Sequence, residues 1–486
     1  MKKLLLSLTG LITLSALAVQ FETRGPDCKI TIVGGGPSGV YTAMRLGEKH
    51  GKDVCLFEKE KKLGGRLNDI RKKPESKKGP LIAIGGRRVM TSQKLMFDLA
   101  SEVGVKLEKP TEKAGEFLFA RGLYSSKKDD FKIRYPGLPV NLEKGNFETQ
   151  LLMKLFKSPE RKNIKTYPNL RSYIESVVGT VGFNYLKDMS RFRGDFTYPL
   201  SAESYLDWLE EEFDVCCTAY YAVGGMTSFV KGMEKKAKSF GVQFFMSEPV
   251  YSINRNFVSG YNLVTSKKSF DTEKVIIAVP PVALPKIKGD VIDSIIKQSE
   301  FKSLIGIKVA TVTQWFNKAW WKGIKRLSDN KTIWRAVTTD SCINSIEIPQ
   351  EPYLINANAI RTVYSDRREC AEHFAFLSKT NPKRLEKEVH DGLKHLFEEN
   401  GITIPVKVSH PTKTVFKEWE AGWYWIKAGS KHTNKEVSTW AANPLPGESV
   451  GLASEGYNPQ RTAWTDGAIQ AAIYLLNKQY KMNISL

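Results

Sequence analysis

The apolar positions near the start of the chain predict a strand, a helix and a second strand. Residues 30–33 are apolar except for Thr31, a pattern that is typical of a strand buried on both faces. An amphipathic run through Met44 and Leu46 predicts a helix. Residues 54–57 are again apolar and predict a second strand that ends at Glu58. This order is typical of a βαβ unit with parallel strands.

The remaining pattern divides into segments with different periodicities. Helical spacing predominates over residues 142–222 and predicts an inserted helical subdomain. Strand patterns follow in GVQFFMSEPVYSI and KVIIAVPP, the latter closed by two prolines. From residue 305 to roughly residue 420, strand patterns are mixed with one clear helix, residues 385–397. The last segment predicts a strand, a loop and a closing helix, so we expect a fold of the α/β class.

Three glycines follow the first strand in GxGxxG spacing: Gly34, Gly36 and Gly39. Glycine lets the backbone approach a pyrophosphate that is held at the N-terminus of the following helix. Glu58 lies about 20 residues further on, where an acidic side chain can bind both ribose hydroxyls. The unit therefore predicts a dinucleotide site for a ribose without a 2′-phosphate.

Composition limits the class of protein and its partners. The chain has 486 residues, of which 41% are hydrophobic, and this predicts two or three folded domains and excludes disorder. A net charge of +21 favours anionic partners such as cell surfaces, extracellular polymers or nucleic acid. The lysines lack the interleaved aromatic residues of a strand-binding groove, so we expect a solvated basic surface and no specific nucleic-acid partner. Anionic cell surfaces stay open as partners.

The N-terminus predicts export. Residues 1–18 combine Lys2 and Lys3, an apolar run and the small residues of a cleavage site, which is typical of a signal peptide. We therefore expect a secreted or periplasmic protein, with an uncleaved membrane anchor as the alternative.

The six cysteines and six histidines show no metal-ligand spacing, so we expect no metal site. An even number of cysteines in an exported chain permits disulfides without fixing their pairing. Cys55 lies in the second predicted strand, and we expect it to be a buried free thiol.

A second glycine motif, Gly64-Gly65-Arg66, follows Glu58 and offers amides and a guanidinium fork to a pyrophosphate. With it, the N-terminal region resembles the FAD-binding fingerprint of the flavin-containing amine oxidase superfamily. The resemblance covers nearly all of the mature chain and is weakest from about 106 to 187. It implies FAD as cofactor. The implied FAD-binding residues are Gly34, Gly36, Ser38, Gly39, Glu58, Lys59, Gly65, Arg66, Gly86, Arg87, Val250, Glu455, Trp464 and Ala468.

The resemblance also implies a domain organisation. A Rossmann-like FAD-binding domain of the glutathione-reductase type is interleaved with an α+β substrate domain and a helical subdomain. The implied FAD-binding domain comprises residues 27–90, 224–300 and 445–480. The implied substrate-binding domain comprises residues 91–141 and 301–444, and the helical subdomain comprises residues 142–223.

Two positions near the C-terminus extend the resemblance to the far end of the chain. Ala453-Ser454-Glu455 stands where the family usually has Ala-Gly-Glu, and the family's glutamate lies beside the cofactor. A helix that begins near Gly467 would bring its amides close to the isoalloxazine ring. Simple amphipathic packing of this helix is the alternative.

Lys308 lies in the apolar strand pattern LIGIKVATV. Alternation places it on the same face as Gly306, Ala310 and Val312, where a buried lysine needs a polar partner or a task. The resemblance implies a neutral lysine that is bonded through water to flavin N5 and acts in catalysis. The alternative is an edge-strand lysine whose ammonium reaches water.

Arg88 follows a short predicted strand and a glycine pair, Gly85-Gly86. Its guanidinium fork matches a carboxylate in two parallel hydrogen bonds. In the L-amino-acid oxidases of the superfamily, an arginine at this position holds the substrate carboxylate, so the resemblance assigns Arg88 to catalysis and substrate binding. Its neighbour Arg87 is the alternative for this role, and a surface position for both stays open.

Aromatic residues are expected to line the substrate pocket, because such walls orient a substrate and exclude water. The candidates are Tyr364, Trp423, Trp425 and Trp464, with Tyr424 beside them. An ordinary aromatic core is the alternative for each. Trp423 stands where flavin-tethering monoamine oxidases carry a cysteine, so we expect FAD to be non-covalent.

The resemblance is closest to FAD-dependent L-amino-acid oxidases of secreted, bacterial, tryptophan-oxidase and marine antimicrobial types. It implies oxidative deamination of an L-amino acid to a 2-oxo acid, with dioxygen as oxidant and release of ammonia and hydrogen peroxide. A flavin amine or polyamine oxidase, and a flavin-dependent isomerase or desaturase, are alternatives, as is a non-catalytic basic binding protein on this scaffold. The accepted side chain and a homodimer stay open.

Overall fold

The computed structural model describes residues 28–486 except 74–78, 111–115, 214–217, 259, 323, 325–335, 350, 352–353, 355–356 and 400–406. The predicted signal peptide lies outside the described residues. The strands, β1 to β20 in chain order, are Ile30–Val33, Val54–Glu58, Asp69–Ile70, Ile82–Ala83, Val89–Met90, Leu107–Glu108, Glu116–Ala120, Leu123–Ser125, Ala219–Ala222, Gln243–Met246, Val250–Asn256, Gly260–Thr265, Ser269–Thr272, Lys274–Ile277, Leu304–Trp315, Ala336–Thr339, Ser345–Glu347, Ala359–Ser365, Lys413–Ile426 and Val450–Leu452. The helices, α1 to α12, are Pro37–His50, Lys94–Glu102, Phe147–Lys157, Leu170–Met189, Ala202–Phe213, Thr227–Ser239, Asp290–Ile296, Ser299–Ser303, Arg368–Thr380, Pro382–Lys394, Asn434–Ala441 and Thr465–Tyr480.

A five-stranded parallel sheet, in the order β10-β2-β1-β14-β20, forms the centre of the nucleotide-binding half. All residues of β1 and β2 are buried, because helices α1, α6 and α12 cover one face and strands β11–β13 with α7 cover the other. Parallel strands covered on both faces read as continuous apolar runs, which is why the sequence predicts them. The predicted α/β class is confirmed. The sheet draws strands from the three segments that the sequence assigns to the FAD-binding domain.

A seven-stranded mixed sheet, in the order β19-β15-β18-β17-β16-β7-β8, forms the second half. Helices α9 and α10 pack on one face of this sheet, and helices α3, α4 and α5 pack against the other face. Helix α9 is missing from the sequence prediction. Its buried face consists of Cys370, Ala371, Phe374, Ala375 and Leu377.

Helix α2 packs with the nucleotide-binding half, although the sequence assigns residues 91–141 to the substrate domain. Met96, Leu99 and Ala100 lie in the same hydrophobic core as helices α1, α6 and α12. The chain therefore leaves the nucleotide-binding half after α2 and not before it. No helix among the described residues is long and apolar enough to span a bilayer.

The expectation of a free thiol at Cys55 is wrong, because Cys55 forms a disulfide with Cys28. Cys28 lies just before β1, and β1 pairs with β2, which contains Cys55. The strand pairing brings the two residues together, and this pairing has no local signal in the sequence. A second disulfide joins Cys342 to Cys370 in the first turn of α9. The remaining pair of cysteines lies outside the described residues.

Candidate active site

The three motif glycines form a cradle between β1 and α1. Gly34 has a φ of +111°, and a Cβ there would lie 2.8 Å from the carbonyl oxygen of Ala278. A Cβ at Gly39 would overlap the carbonyl oxygen of Gly34. At Gly36, by contrast, no described atom lies within 4 Å of the position of a Cβ. Close packing therefore requires glycine at two positions, and the third opens onto free space at the first turn of α1, which fits a pyrophosphate.

Glu58 occupies the end of β2 beside this cradle. Its carboxylate accepts hydrogen bonds from the amides of Gly35 at 2.6 Å and Glu60 at 2.8 Å. Burial raises the pKa of Glu58 above its ordinary value. Each oxygen keeps a further acceptor site, which fits the hydroxyls of a ribose. Lys59, next in the chain, is exposed and lies 3.7 Å from Glu60.

Arg66, in the second glycine motif, contacts β19 and the segment that follows β20. Gly65 lies against the cradle, since a Cβ there would be 3.2 Å from Cα of Gly36. Arg66 Nη1 donates to the carbonyl oxygen of Gly422 at 2.7 Å and lies 2.7 Å from Glu455 Oε2. The amide of Gly86 donates to the carbonyl oxygen of Arg66 at 3.0 Å. The Arg66 guanidinium thus joins β19 to the segment after β20, while the Arg66 backbone contacts Gly86.

The C-terminal segment closes the same site. Ser38 Oγ donates to the carbonyl oxygen of Ala453 at 2.5 Å, which ties β20 to the first turn of α1. Glu455 Oε1 accepts hydrogen bonds from Thr462 Oγ1 at 2.8 Å and from the amide of Ala463 at 2.7 Å. Helix α12 begins directly after this loop.

Most of the predicted cofactor-binding residues therefore lie around the glycine cradle and Arg66. Four others lie at the start of α12, in β11 or on the surface. Trp464 precedes the first residue of α12, and Ala468 is buried in its first turn. Val250 begins β11 and is buried in the core beneath the nucleotide sheet. The structure places Lys59 on the surface beside this cradle.

The guanidinium of Arg87 is bonded to other residues of this chain. Its guanidinium donates to both carboxylate oxygens of Glu351, at 2.9 and 3.1 Å, and to the carbonyl oxygen of Ile348 at 3.1 Å. It also lies 3.3 Å from Glu347. The side chain of Arg87 therefore points away from the glycine cradle, and its predicted contact with the cofactor stays a prediction.

Arg88 differs from its neighbour because its guanidinium makes no hydrogen bond or ion pair with any residue that the structure describes. Burial and the nearby charge of Arg191 lower the pKa of Arg88. Arginine nonetheless stays charged in proteins. Because the half-buried guanidinium donates to no described residue, its fork is available to an incoming anion.

Glu347 organises the charges around Arg88. Arg361 lies 2.6 Å from its carboxylate, Arg191 lies 2.7 Å away, and Arg87 also contacts it. Burial alone would raise the pKa of Glu347, but these guanidinium groups hold it well below its usual range. One carboxylate thus pairs directly with three arginines, whereas Arg88 is near this carboxylate without bonding to it and donates to no residue that the structure describes. The sequence analysis missed Glu347, because no local pattern marks it.

An aromatic cluster lies next to these charges. Tyr364, on β18, is half-buried and lies near Glu347 and Arg191, and its removal from solvent raises its pKa above the ordinary value. The ring of Phe192 meets Tyr364 edge-on at 6.3 Å and Trp423 at 5.6 Å between centroids. Phe192 is 38% exposed, so part of its face is open. The sequence analysis did not single out Phe192.

Trp423 and Trp425 point into the helical subdomain. Their indole nitrogens donate to the same oxygen of Asp195, at 3.0 and 2.8 Å. Trp425 is 1% exposed and packs against Tyr205 and Trp208, so it lies in the hydrophobic core and not on an open wall. Trp423 also contacts Phe192, which lies beside Tyr364.

Two other aromatic residues lie nearer the glycine cradle. Trp419 Nε1 donates to the carbonyl oxygen of Ile84, and a Cβ at Gly85 would lie 3.4 Å from its ring. The Tyr424 ring lies 5.9 Å from the Arg66 guanidinium and packs against Gly456. The sequence indicates Tyr424 as a neighbour of the pocket candidates, whereas it gives no signal for Trp419.

Lys308 lies where β15 and β19 lose their regular register. Ile307 pairs with Trp423 and Val309 pairs with Trp419, so β19 bulges opposite Lys308. Lys308 Nζ lies 3.4 Å from Glu418 and 3.7 Å from Glu372 of α9. The predicted face is therefore correct, and the lysine is ion-paired there.

We expect the stability of the fold to fall as pH rises from about 4 to about 7. Asp195 is buried beneath Trp423 and Trp425, and burial raises its pKa to about 7. The folded state therefore keeps a proton that an unfolded aspartate has lost, so raising the pH through this window favours unfolding. Asp195→Asn keeps an oxygen acceptor for both indoles. Thermal melts between pH 4.5 and 8 should show a shallower pH dependence for the variant, and equal slopes would contradict this.

Known proteins resemble this chain in sequence and in fold. A family model for flavin containing amine oxidoreductases matches residues 37–424. The chain is 22% identical to Aplysianin-A of Aplysia kurodai over 517 residues, covering 93% of this chain and 90% of Aplysianin-A. Its fold is similar to that of cyclohexylamine oxidase from Brevibacterium oxydans IH-35A, with a TM-score of 0.67 and 14% identity over 92% of this chain and 97% of that one.

A putrescine oxidase variant from a structure-based redesign of cofactor binding is similar too, with a TM-score of 0.63 and 16% identity over 93% of this chain and 98% of that one. At such identities the structural matches show the fold alone. The family model, however, spans most of the chain, including the glycine cradle after Gly36 and the segment that ends at Tyr424. The chain therefore belongs to the flavin containing amine oxidoreductase family.

Proposed function

We propose that this protein is an L-amino-acid oxidase that binds FAD non-covalently. It would convert an L-amino acid and dioxygen to a 2-oxo acid, ammonia and hydrogen peroxide. The observation that carries the proposal is the guanidinium of Arg88, which donates to no described residue, in a cluster where Arg87, Arg191 and Arg361 each pair directly with a carboxylate. A simple amine offers no group that needs this cation, whereas an amino acid offers its carboxylate.

Different residues of the chain would bind different parts of FAD. The amides of the cradle at Gly36 would hold the pyrophosphate, and Glu58 would accept hydrogen bonds from the ribose. Arg66 and Glu455 would fix the middle of the cofactor. FAD bound there would supply a two-electron acceptor that dioxygen regenerates. Trp423, which stands where a tethering cysteine occurs in other oxidases, has no thiol, and its indole is bonded to Asp195.

Arg88 would orient the substrate. Two parallel hydrogen bonds to the α-carboxylate fix the position of Cα, so that its hydride can leave while the neutral amine becomes an imine. Water then hydrolyses the imino acid to a 2-oxo acid and ammonia. Phe192 and Tyr364 lie beside the arginine cluster, where they would exclude bulk water from this end of the pocket.

We expect Lys308→Met to slow reoxidation by dioxygen about 100-fold, if Lys308 Nζ holds a water at the reacting centre as in the resembling oxidases. Rapid mixing of the reduced enzyme with oxygen measures the step. An unchanged rate with a lowered melting temperature would instead assign Lys308 to its ion pairs with Glu418 and Glu372.

A substrate panel tests the proposed function. The purified protein should be yellow, release its flavin on acid precipitation, and form peroxide with L-amino acids but not with putrescine, cyclohexylamine or D-amino acids. Peroxide from amines alone would support an amine oxidase. Bleaching without peroxide formation would support an isomerase or desaturase, and colourless protein would support a non-catalytic binding protein.

Export is part of the proposal, with residues 1–18 as the signal peptide. The two disulfides support it, because structural disulfides form and persist in oxidising compartments. A secreted oxidase would release peroxide outside the cell.

A further inference from the structure

The segment after β3 and the first half of β19 together present a row of basic side chains. Lys72 Nζ donates to Thr412 Oγ1 at 2.7 Å, and Lys413 Nζ donates to the carbonyl oxygen of Lys72. The two segments are therefore in direct contact, although more than 300 residues separate them. We call this row the basic seam: Arg71, Lys72, Lys73, Lys413 and Lys417.

The basic seam carries charge that no acidic neighbour compensates. Within the described part of the chain, none of its five members forms an ion pair with a carboxylate. Arg71 Nε donates to the carbonyl oxygen of Gly79 at 3.2 Å, which leaves its charge unopposed. Lysines elsewhere often have partners, such as Lys286 with Glu420 at 2.6 Å. The seam is thus a local concentration of positive charge in a protein that is already basic.

The aromatic rings of the seam are already covered. Lys413 Nζ lies 5.6 Å from the centre of the Trp315 ring, and Lys417 Nζ lies 4.6 Å from the centre of the Trp419 ring. Nucleic-acid bases would need such faces for stacking, and here lysines occupy them. A ligand can therefore interact with the seam through its positive charges and not by stacking on these rings.

The geometry of β19 arranges the charges in a line. The register with β15 is regular from Lys413 to Trp419, so Lys413 and Lys417 lie on one face, about 13 Å apart. Lys72 extends the row beyond Lys413. A linear partner with repeated negative groups can meet several of these charges at once, whereas a single small anion can meet only one or two.

We propose that the basic seam binds a linear sulfated polysaccharide. Sulfate groups stay charged at every physiological pH and need no directional fork, so ammonium groups suit them. The absence of free stacking faces in the seam disfavours single-stranded nucleic acid as the partner. The proposal goes beyond the oxidase reaction and does not depend on it, since none of the five residues contacts the glycine cradle or the Arg88 cluster in the described structure.

Heparin is the probe for the test, and the folded full-length protein is used. The variant Arg71→Gln/Lys72→Gln/Lys413→Gln removes three charges from the seam. The control Lys144→Gln/Lys297→Gln/Lys431→Gln removes three exposed lysines from other surfaces, which also lack ion pairs among the described residues. Lys417 is left intact because its partner Trp419 contacts Ile84 near the cofactor cleft.

We expect the seam variant to bind heparin about tenfold or more weakly at low salt, and the control to bind within about twofold of the native protein. The melting temperature and any flavin absorbance should be the same in all three proteins. Equal losses in the two variants would overturn the proposal, because net charge alone would then explain binding. Equally tight binding of single-stranded DNA or of unsulfated hyaluronan, with the same sensitivity to the seam variant, would also overturn the assignment to a sulfated polysaccharide.

Discussion

Replacing Arg88 with alanine should lower kcat/KM for L-amino acids about 100-fold or more, chiefly through a higher KM. Under the proposed function the variant would lose two charge-assisted hydrogen bonds to the carboxylate, each worth roughly 1.5–3 kcal/mol, and each 1.4 kcal/mol is a factor of ten. Because the carboxylate is bound in both the substrate and the transition state, most of the loss appears as weaker binding. Steady-state peroxide formation over a range of amino-acid concentrations measures both parameters.

Arg88→Lys is the matched control. It keeps the charge and loses the fork, so its KM should fall between those of the native protein and the alanine variant. The fold should tolerate both changes, because Arg88 lies near the like charges of Arg87 and Arg191 and has no partner to lose among the described residues. An unchanged KM in Arg88→Ala, with flavin bound, would remove Arg88 from substrate recognition.

The nucleotide-binding half could be predicted because its signals are local. The strand, the three glycines, the helix and Glu58 lie within about 30 consecutive residues, and each follows from backbone geometry or periodicity. The family model confirms the resemblance that these residues indicate. The far end of the site, at Glu455, was found only through the resemblance, since nothing local links it to Arg66.

The charge cluster around Arg88 could not be predicted, because its contacts join distant segments. Arg191 meets Glu347 across 156 positions of sequence, and Arg87 meets the same residue across 260. Ion pairs of this kind leave no periodic pattern. The sequence therefore indicated Arg88 and could not show that, of the arginines in this cluster, Arg88 would have no direct carboxylate partner among the described residues.

Strand alternation indicates which residues share a face of a strand. It does not indicate which other element packs against that face. Trp423 and Trp425 were expected to line the substrate pocket, but their indoles turn toward Asp195 in the helical subdomain. The bulge opposite Lys308 adds a second uncertainty, since it changes which β19 residues lie beside Trp419 and Trp423. Bulges arise from tertiary packing and not from the strand's own pattern.

Gly36→Ala should abolish flavin binding while leaving the folded protein intact. The backbone of Gly36 has a φ of −72°, which any residue adopts, and no described atom lies within 4 Å of its Cβ position. The added methyl group therefore costs the protein itself little. It would occupy the space where the pyrophosphate must approach the backbone, and close approach is the reason the motif has glycine there. Flavin absorbance per protein and the apoprotein's melting temperature measure the two effects separately.

Gly39→Ala separates cofactor exclusion from damage to the fold. Its Cβ would overlap the carbonyl oxygen of Gly34, so α1 must move away from β1 and the melting temperature should fall. Both variants lose flavin, but only Gly39→Ala should lose stability in the absence of flavin. If Gly36→Ala retained flavin at native affinity, the open space at the first turn of α1 would not be the pyrophosphate site. The cofactor would then have to bind without the close backbone contact that the spacing of these glycines predicts.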